Sequence, residues 1–254
     1  MIDAVRLTGE FTTDWEMDHA SITEQEIRDW YNDRHRSRGE DAWRPPEAYP
    51  VFLEYLGVTG TGKLLDVGCG TGHLLRAAAD RGLETFGTDI SEEGVQVARR
   101  TSPASQVAVG KGEELDYGDS EFDYVTCIGA LEHFLDMRKG FREMLRVARP
   151  GGRLCIVVPN SNFLYWKLRG DKGTEQHDIN ENLMSLTEWH DFFKKENLEV
   201  LRVHQDRWLM KKARVFSNWN PFGVTKRTVQ KLVWALLPLG MTYQFVFVMR
   251  KQPA

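Results

Sequence analysis

The run Leu64-Leu65-Asp66-Val67-Gly68-Cys69-Gly70-Thr71-Gly72 places three glycines at alternate positions directly after an apolar stretch. Glycine accepts positive φ and, having no Cβ, lets a ligand lie against bare backbone. A pyrophosphate seat would need Gly-x-Gly-x-x-Gly at a helix N-terminus. Here that third position is His73, and Gly72 comes one residue early. Asp89 stands 23 residues after Asp66, at the end of the next strand-like run, where one carboxylate can take both hydroxyls of a ribose. Two histidines offer proton chemistry. His133 follows the fourth strand-like run, and His177 sits in Gly173-Thr174-Glu175-Gln176-His177-Asp178. Each is a general-base candidate, with an ordinary hydrogen-bonding role as the alternative. Glu132, His133, Glu175 and His177 lack a tight ligand spacing such as His-x-x-x-His, so no metal is expected. Near the start, Tyr31, Arg34, His35, Trp43 and Arg44 form an aromatic and basic set able to close over a ligand, or simply to pack a surface helix.

Strands and helices in alternation must carry these residues. The pattern predicts strands at Lys63–Val67, Glu84–Asp89, Gln106–Gly110, Phe122–Ile128, Arg153–Val158, Leu198–His204 and Tyr243–Arg250. Helices are expected at His73–Arg81, after Ser91 with Glu92 and Glu93 in its first turn, and after Asp136 with Phe141, Leu145 and Ala148 on one face. Pro150-Gly151-Gly152 should end that last helix. Ser185 and Glu188 read as a capping box before Trp189, Phe192 and Phe193. A further helix is expected near Thr23–Tyr31. Two long connections, 159–184 and 208–240, stand outside the alternation, and such connections usually serve function. Ligands of open α/β sheets lie beyond the carboxyl ends of the strands, so the connection after the fifth strand should wall the site.

The glycine run resembles motif I of the class I S-adenosylmethionine-dependent methyltransferases. Gly87-Thr88-Asp89-Ile90-Ser91 resembles the end of that family's second strand. Val109 to Val125, with Glu113-Glu114-Leu115 and Phe122-Asp123, is similar to its third and fourth strands, and Ile128-Gly129-Ala130-Leu131-Glu132-His133-Phe134 to the segment that follows. The match covers about residues 55–205. It implies a Rossmann-like, seven-stranded, mostly parallel sheet with helices on both faces and an antiparallel last strand. It also implies roles. Gly68, Gly70 and Gly72 would lie beneath the methionine and ribose of S-adenosylmethionine, with Asp66 fixing the loop and Cys69, His73 and Leu74 beside it. Asp89 would bind the ribose, Ile90 would pack on the adenine, and Gly112 and Glu113 would face the adenine edge. Ile128 and Gly129 would line the far side, near the transferable methyl. Tyr31 and Arg44 would close over the cofactor, the arginine pairing with its carboxylate. Many relatives carry an Asp where this chain has Lys111, and lysine only donates. Glu113 or a backbone carbonyl must then receive the adenine amine.

The chain has 254 residues, enough for one large α/β domain. We divide it into an N-terminal cap, residues 1–50, and a methyltransferase domain, residues 51–254, whose two insertions form an acceptor-site lid. Cys69, Cys127 and Cys155 make no CxxC pair, and no secretory signal is evident, which suits reduced thiols in the cytoplasm. Leu232 to Met249 is uncharged, but Pro238 and Gly240 interrupt it, so a helix, a turn and a strand are expected rather than a membrane span. Charge is uneven: residues 1–50 hold twelve acids against six Arg, and residues 205–254 hold nine Lys or Arg against Asp206 alone. A basic lid over an anionic acceptor, or peripheral membrane contact through 208–240, would follow from the second. The leading expectation is methyl transfer to an oxygen or nitrogen of a small molecule, by a monomer or homodimer. The slight overall acidity argues against nucleic acid. The alternatives are an RNA or protein acceptor, a non-catalytic cofactor-binding module, and a nicotinamide oxidoreductase, which His73 disfavours.

Overall fold

Strand β1 (Lys63–Val67) pairs in parallel with β2 (Glu84–Asp89) on one side and with β4 (Phe122–Ile128) on the other. β3 (Gln106–Val109) extends the β2 edge, and β5 (Ala148–Pro159) follows β4, both in parallel. β7 (Gln244–Lys251) then inserts antiparallel between β5 and β6 (Leu198–Gln205), completing the order β3-β2-β1-β4-β5-β7-β6. This computed structural model describes residues 22–41, 43–170, 173–174, 176, 179–206 and 236–253. It bears out the expected fold class.

Successive side chains of a strand face opposite ways, so each central strand feeds two cores. Leu65 of β1 and Leu154, Ile156 and Val158 of β5 join one cluster; Leu64, Cys155 and Val157 join the other. The first cluster is closed by α5 (Met137–Val147) and α7 (Leu186–Lys194), through Phe141, Met144, Trp189 and Phe193. The second is closed by α2 (Pro50–Leu56), α3 (His73–Ala79) and α4 (Glu92–Thr101), through Phe52, Leu74, Leu75, Val95 and Ala98. Both faces being covered explains why β5 and β7 read as near-continuous apolar runs. The anticipated caps are present: Ser91 accepts from Gly94 N, Asp136 accepts from Lys139 N, and Ser185 and Glu188 form the capping box.

Some boundaries differ. Pro150-Gly151-Gly152 does not separate helix from strand, because α5 has already stopped at Val147 and the chain enters β5 at once. Helix α1 (Glu24–Arg38) runs seven residues past the expected Tyr31, to a glycine at positive φ. α2 and the short α6 (Leu164–Arg169) were not foreseen. Among the described residues no helix is long and apolar enough to cross a membrane. Within the uncharged stretch, Leu239–Met241 is a single tight turn and β7 follows; most of the 208–240 connection lies outside the described residues.

Topology decides what meets at the site. The parallel strands β1, β2, β4 and β5 end at one edge. Because β7 runs the other way, with Gln244 opposite Pro159, its first residues arrive at that same edge. Across it lies α1, docked on the first turn of α4. Asn32 donates to Glu92 and accepts from Ser91 Oγ and Glu93 N, Arg28 pairs with Glu92 at 3.0 Å, and Arg36 with Glu93 at 3.2 Å.

Candidate active site

The turn from β1 to α3 is pinned by backbone. Gly68 N and Cys69 N both donate to Thr88 O, at 2.8 and 3.0 Å, which ties the loop to the end of β2. Gly68 has φ +71, and a Cβ there would lie 2.5 Å from Ala130 Cβ, so only glycine lets the turn after β4 approach. Gly70 N donates to Asp89 Oδ2 at 2.7 Å, and Asp89 Oδ1 accepts from Ser91 N at 2.9 Å. Two backbone donors therefore hold the Asp89 carboxylate in place at the loop's mouth. Asp66 turns elsewhere, accepting from Thr126 Oγ1 of β4 at 2.7 Å. Burial pushes its carboxyl up to about 7, partly opposed by that bond.

A cavity of ≈ 780 Å³ opens along this edge. One end is lined by Ile27, Ile90, Gly110, Lys111, Gly112, Glu113 and Leu135, and the middle by Gly68, Cys69, Gly70, Asp89, His35 and Trp43. Around the other end stand Tyr31, Arg44, Tyr49, Ile128, Gly129, Glu132, His133, Trp166, Gln176, Tyr243 and Gln244. The volume suits a nucleoside-sized ligand together with a small second one.

The second end is a buried polar chamber. His133 Nδ1 lies 3.0 Å from Asn180 O, and a carbonyl only accepts, so Nδ1 carries the proton and Nε2 presents its lone pair. Nε2 is buried and makes no hydrogen bond of good geometry, and burial pushes the imidazole down to about 4, opposed by Asn180 O and the nearby Gln176 side chain. Glu132 Oε1 lies 3.9 Å from that nitrogen, while Oε2 is buried and unpartnered. Burial raises the Glu132 carboxyl to about 8. The backbone of this short turn is clamped from the 176–182 segment. Asn182 N and Nδ2 both donate to Glu132 O, and Asn180 Nδ2 donates to His133 O and Phe134 O. Opposite, the buried Arg44 donates to Asp206 and to Gln244 Oε1, which fixes the Gln244 amide with its NH2 away from the guanidinium. Gln176 Nε2 donates to Tyr31 Oη at 3.1 Å, and burial holds the phenols of Tyr31, Tyr49 and Tyr243 above their ordinary range.

Residues 65–156 match the family described as a methyltransferase domain. The chain is 30% identical over 172 residues to the ubiquinone biosynthesis O-methyltransferase of Coxiella burnetii (strain Dugway 5J108-111), covering 61% of this chain and 74% of that one. The chain belongs to the class I S-adenosylmethionine-dependent methyltransferases. It is 32% identical over 136 residues to the ubiquinone biosynthesis O-methyltransferase of Idiomarina loihiensis (strain ATCC BAA-735 / DSM 15497 / L2-TR), covering 45% of this chain and about half, 54%, of that relative's length. In fold it is similar to a chain from the complex between the Haloferax volcanii Trm112 methyltransferase activator and a methyltransferase, with TM-score 0.65, 20% identity, and coverage of 92% and 99%.

The methyltransferase's residues fit its cofactor. Gly70 lines the cavity, and an added Cβ there would come into ordinary contact with the Trp43 and His35 rings at 3.6–3.7 Å. The carboxylate of Asp89 is held at the same point. Of the cofactor positions taken from sequence, Tyr31, Arg44, Asp66, Gly68, Cys69, Gly70, Asp89, Ile90, Gly112, Glu113, Ile128 and Gly129 all line the cavity. Three do not. Gly72 turns α3 against α4, where a Cβ would sit 2.9 Å from Ala98. Leu74 points into the core, and His73 sits behind the loop with Nε2 3.2 Å from Glu40 O and its ring beside Tyr49. The first turn of α3 points away from the crevice, which the one-dimensional motif does not reveal. His133 lines the cavity; His177 lies outside the described residues. Lys111, which stands where many relatives carry Asp, pairs with Glu24 at 3.1 Å and so links the loop after β3 to α1. Sequence reasoning missed Tyr49, Trp166, Gln176, Tyr243 and Gln244 as site residues. Nothing in their spacing marks them, since antiparallel β7 and the 159–184 connection bring most of them in from the far end of the chain.

Proposed function

We propose that this methyltransferase transfers the methyl group to a hydroxyl oxygen of a small-molecule acceptor bound between Gly129, Glu132, His133 and Gln244. The observation that carries the reading is a pair of buried atoms without a hydrogen bond, Glu132 Oε2 and His133 Nε2, on two residues that line the chamber. Buried polar atoms seek partners, and a substrate O–H supplies one. The O-methyltransferase names of the two relatives support oxygen over nitrogen. Bound S-adenosylmethionine supplies an activated, electrophilic methyl carbon, so the protein's task is chiefly in-line placement. Gly68, Gly70 and Asp89 would hold the methionine and ribose end, with Ile90, Gly112 and Glu113 around the adenine. Ile128, Gly129 and Tyr31 would lie on the side of the transferable methyl. Glu132 and His133 flank the acceptor's hydroxyl, whose single hydrogen one of the two receives. Arg44, neutralised by Asp206, works by setting the Gln244 amide. Residues to about 50 act as a cap whose helix α1 closes the cavity, and 159–184 walls the acceptor end through Trp166 and Gln176.

The test is turnover with a panel of small hydroxyl and amine acceptors, read by S-adenosylhomocysteine release and by product mass. Methylated hydroxyl products are expected. Methylation confined to amines would overturn the reading.

A further inference from the structure

Glu132 is the chamber's least explained side chain. It is 2% exposed, and Oε2 has no partner. Burying a carboxyl with one oxygen unbonded costs stability, and packing alone would be served better by an amide or an apolar group. The side chain cannot escape easily, because Asn182 holds the residue's carbonyl with two donors. Its other oxygen faces the methyl-side backbone. A Cβ built on Gly129, which has φ +69, would lie 3.8 Å from Glu132 Oε1 and 4.0 Å from Gln244 Nε2. Glycine at 129 thus leaves a gap flanked by one carboxylate acceptor and one amide donor. His133 Nε2 stands 3.9 Å from the same carboxyl, too far for a hydrogen bond and too close for an atom to fit directly between, so an acceptor oxygen meets both groups only from one side of the pair.

We infer that Glu132 is a catalytic residue of the reaction proposed above, accepting the hydrogen bond of the acceptor's hydroxyl and then its proton, while His133 only shapes the chamber beside that oxygen. The inference rests on hydroxyl methylation and adds the destination of the proton. As the acceptor's oxygen bonds to the methyl carbon, the old carbon–sulfur bond breaks with both electrons left on sulfur, and the proton moves from oxygen to Glu132. Sulfonium and carboxylate charges vanish together, and no further reactant is required.

The charges around Glu132 agree with this role. His133 faces it from its own turn, Glu181 from the clamping segment, Arg44 from across the chamber, and the phenols of Tyr31 and Tyr243 and the thiol of Cys127 complete the set. Burial dominates and raises the carboxyl to about 8. A phenolic hydroxyl ionises near 10. An acceptor of the proton within about 2 units of it works far better than the His133 imidazole, held down at about 4.

The experiment compares Glu132→Gln and His133→Gln with the parent enzyme, using a hydroxyl acceptor that the parent turns over. Glu132→Gln should lower kcat by about 10²-fold or more and flatten the limb of kcat/KM that rises toward pH 8, while His133→Gln keeps that limb. Independently of turnover, infrared difference spectra of the cofactor-free protein across pH should contain a titrating protonated-carboxyl band that Glu132→Gln lacks. Calorimetric affinity for S-adenosylhomocysteine and the melting temperature check that the amide variant is folded and loaded. Hydroxyl turnover within about threefold of the parent in Glu132→Gln would overturn the inference and leave hydroxyl methylation standing. So would loss of the rising limb in His133→Gln alone. Absence of hydroxyl turnover in the parent refutes the underlying reading instead.

Discussion

A carboxylate whose two oxygens each accept a backbone N–H is oriented before any ligand arrives. Asp89 is such a group, and it lines the crevice. Asp89→Ala should therefore weaken S-adenosylhomocysteine binding by about 1–3 kcal/mol, through lost charged hydrogen bonds and a loosened Gly70; titration calorimetry checks this. Gly68 is a steric case. At φ +71 and 2.5 Å from Ala130 Cβ, an alanine must push the Leu131–His133 turn outward. Gly68→Ala should lower cofactor affinity at least tenfold and disturb the chamber as well, because one displacement serves both. His133→Ala acts differently. The residue touches the chamber and not the glycine turn, so turnover should fall while cofactor affinity stays level.

Helix α1 owes its place to polar contacts with α4 more than to apolar burial: among its described side chains only Ile27 and His35 are buried. Thr23 and Glu26 cap its start, and Glu92 and Glu93, at the positive end of α4, receive Arg28, Asn32 and Arg36. Exposed ion pairs are each worth about 0–1 kcal/mol, so the contribution that discriminates is Asn32, which makes three hydrogen bonds to this turn. Asn32→Ala should speed cofactor release several-fold with little change in melting temperature, since the sheet and both cores are untouched. Stopped-flow displacement measures the release. Lys111→Ala, which removes the link to Glu24, should act in the same direction and more strongly at low salt, where the pair is less screened.

Among the described residues, buried carboxyls at Asp66, Asp89 and Glu132 and buried imidazoles at His35 and His133 give stability a dependence on pH. Asp66 and Glu132 bind their protons more tightly when folded, with carboxyls at about 7 and about 8 against ordinary values of 3.8 and 4.5. They therefore oppose folding increasingly as pH rises toward those values. His133 has the opposite bias. Folded, it resists protonation down to about 4, so it opposes folding as pH falls below its ordinary 6.5. Between about 6.5 and 8 only the carboxyls act, and the melting temperature of the cofactor-free protein should decline through that window. Glu132→Gln should remove the upper part of the decline, and Asp66→Asn the lower. Scanning calorimetry at a series of pH values separates them.

The alternation of strands and helices, the caps at Ser91, Asp136 and Ser185, and the glycine turn with Asp89 were legible along the chain, because each is written in local spacing. Apolar periodicity, cap chemistry and tolerance of positive φ act over a few residues, and a reader of the chain can recover them. Helix α2 and α6 were not legible, being too short for periodicity to show. Tertiary structure decided the rest. That Gly72, His73 and Leu74 leave the crevice depends on which way α3 turns against α4. That Gln244 and Tyr243 reach the chamber depends on an antiparallel strand inserted between β5 and β6. Whether Glu132 is a surface acid or a buried, unpartnered carboxyl depends on Asn180, Asn182 and Arg44, distant in sequence and close in space. Desolvation is a property of packing from all sides, and no local spacing encodes it.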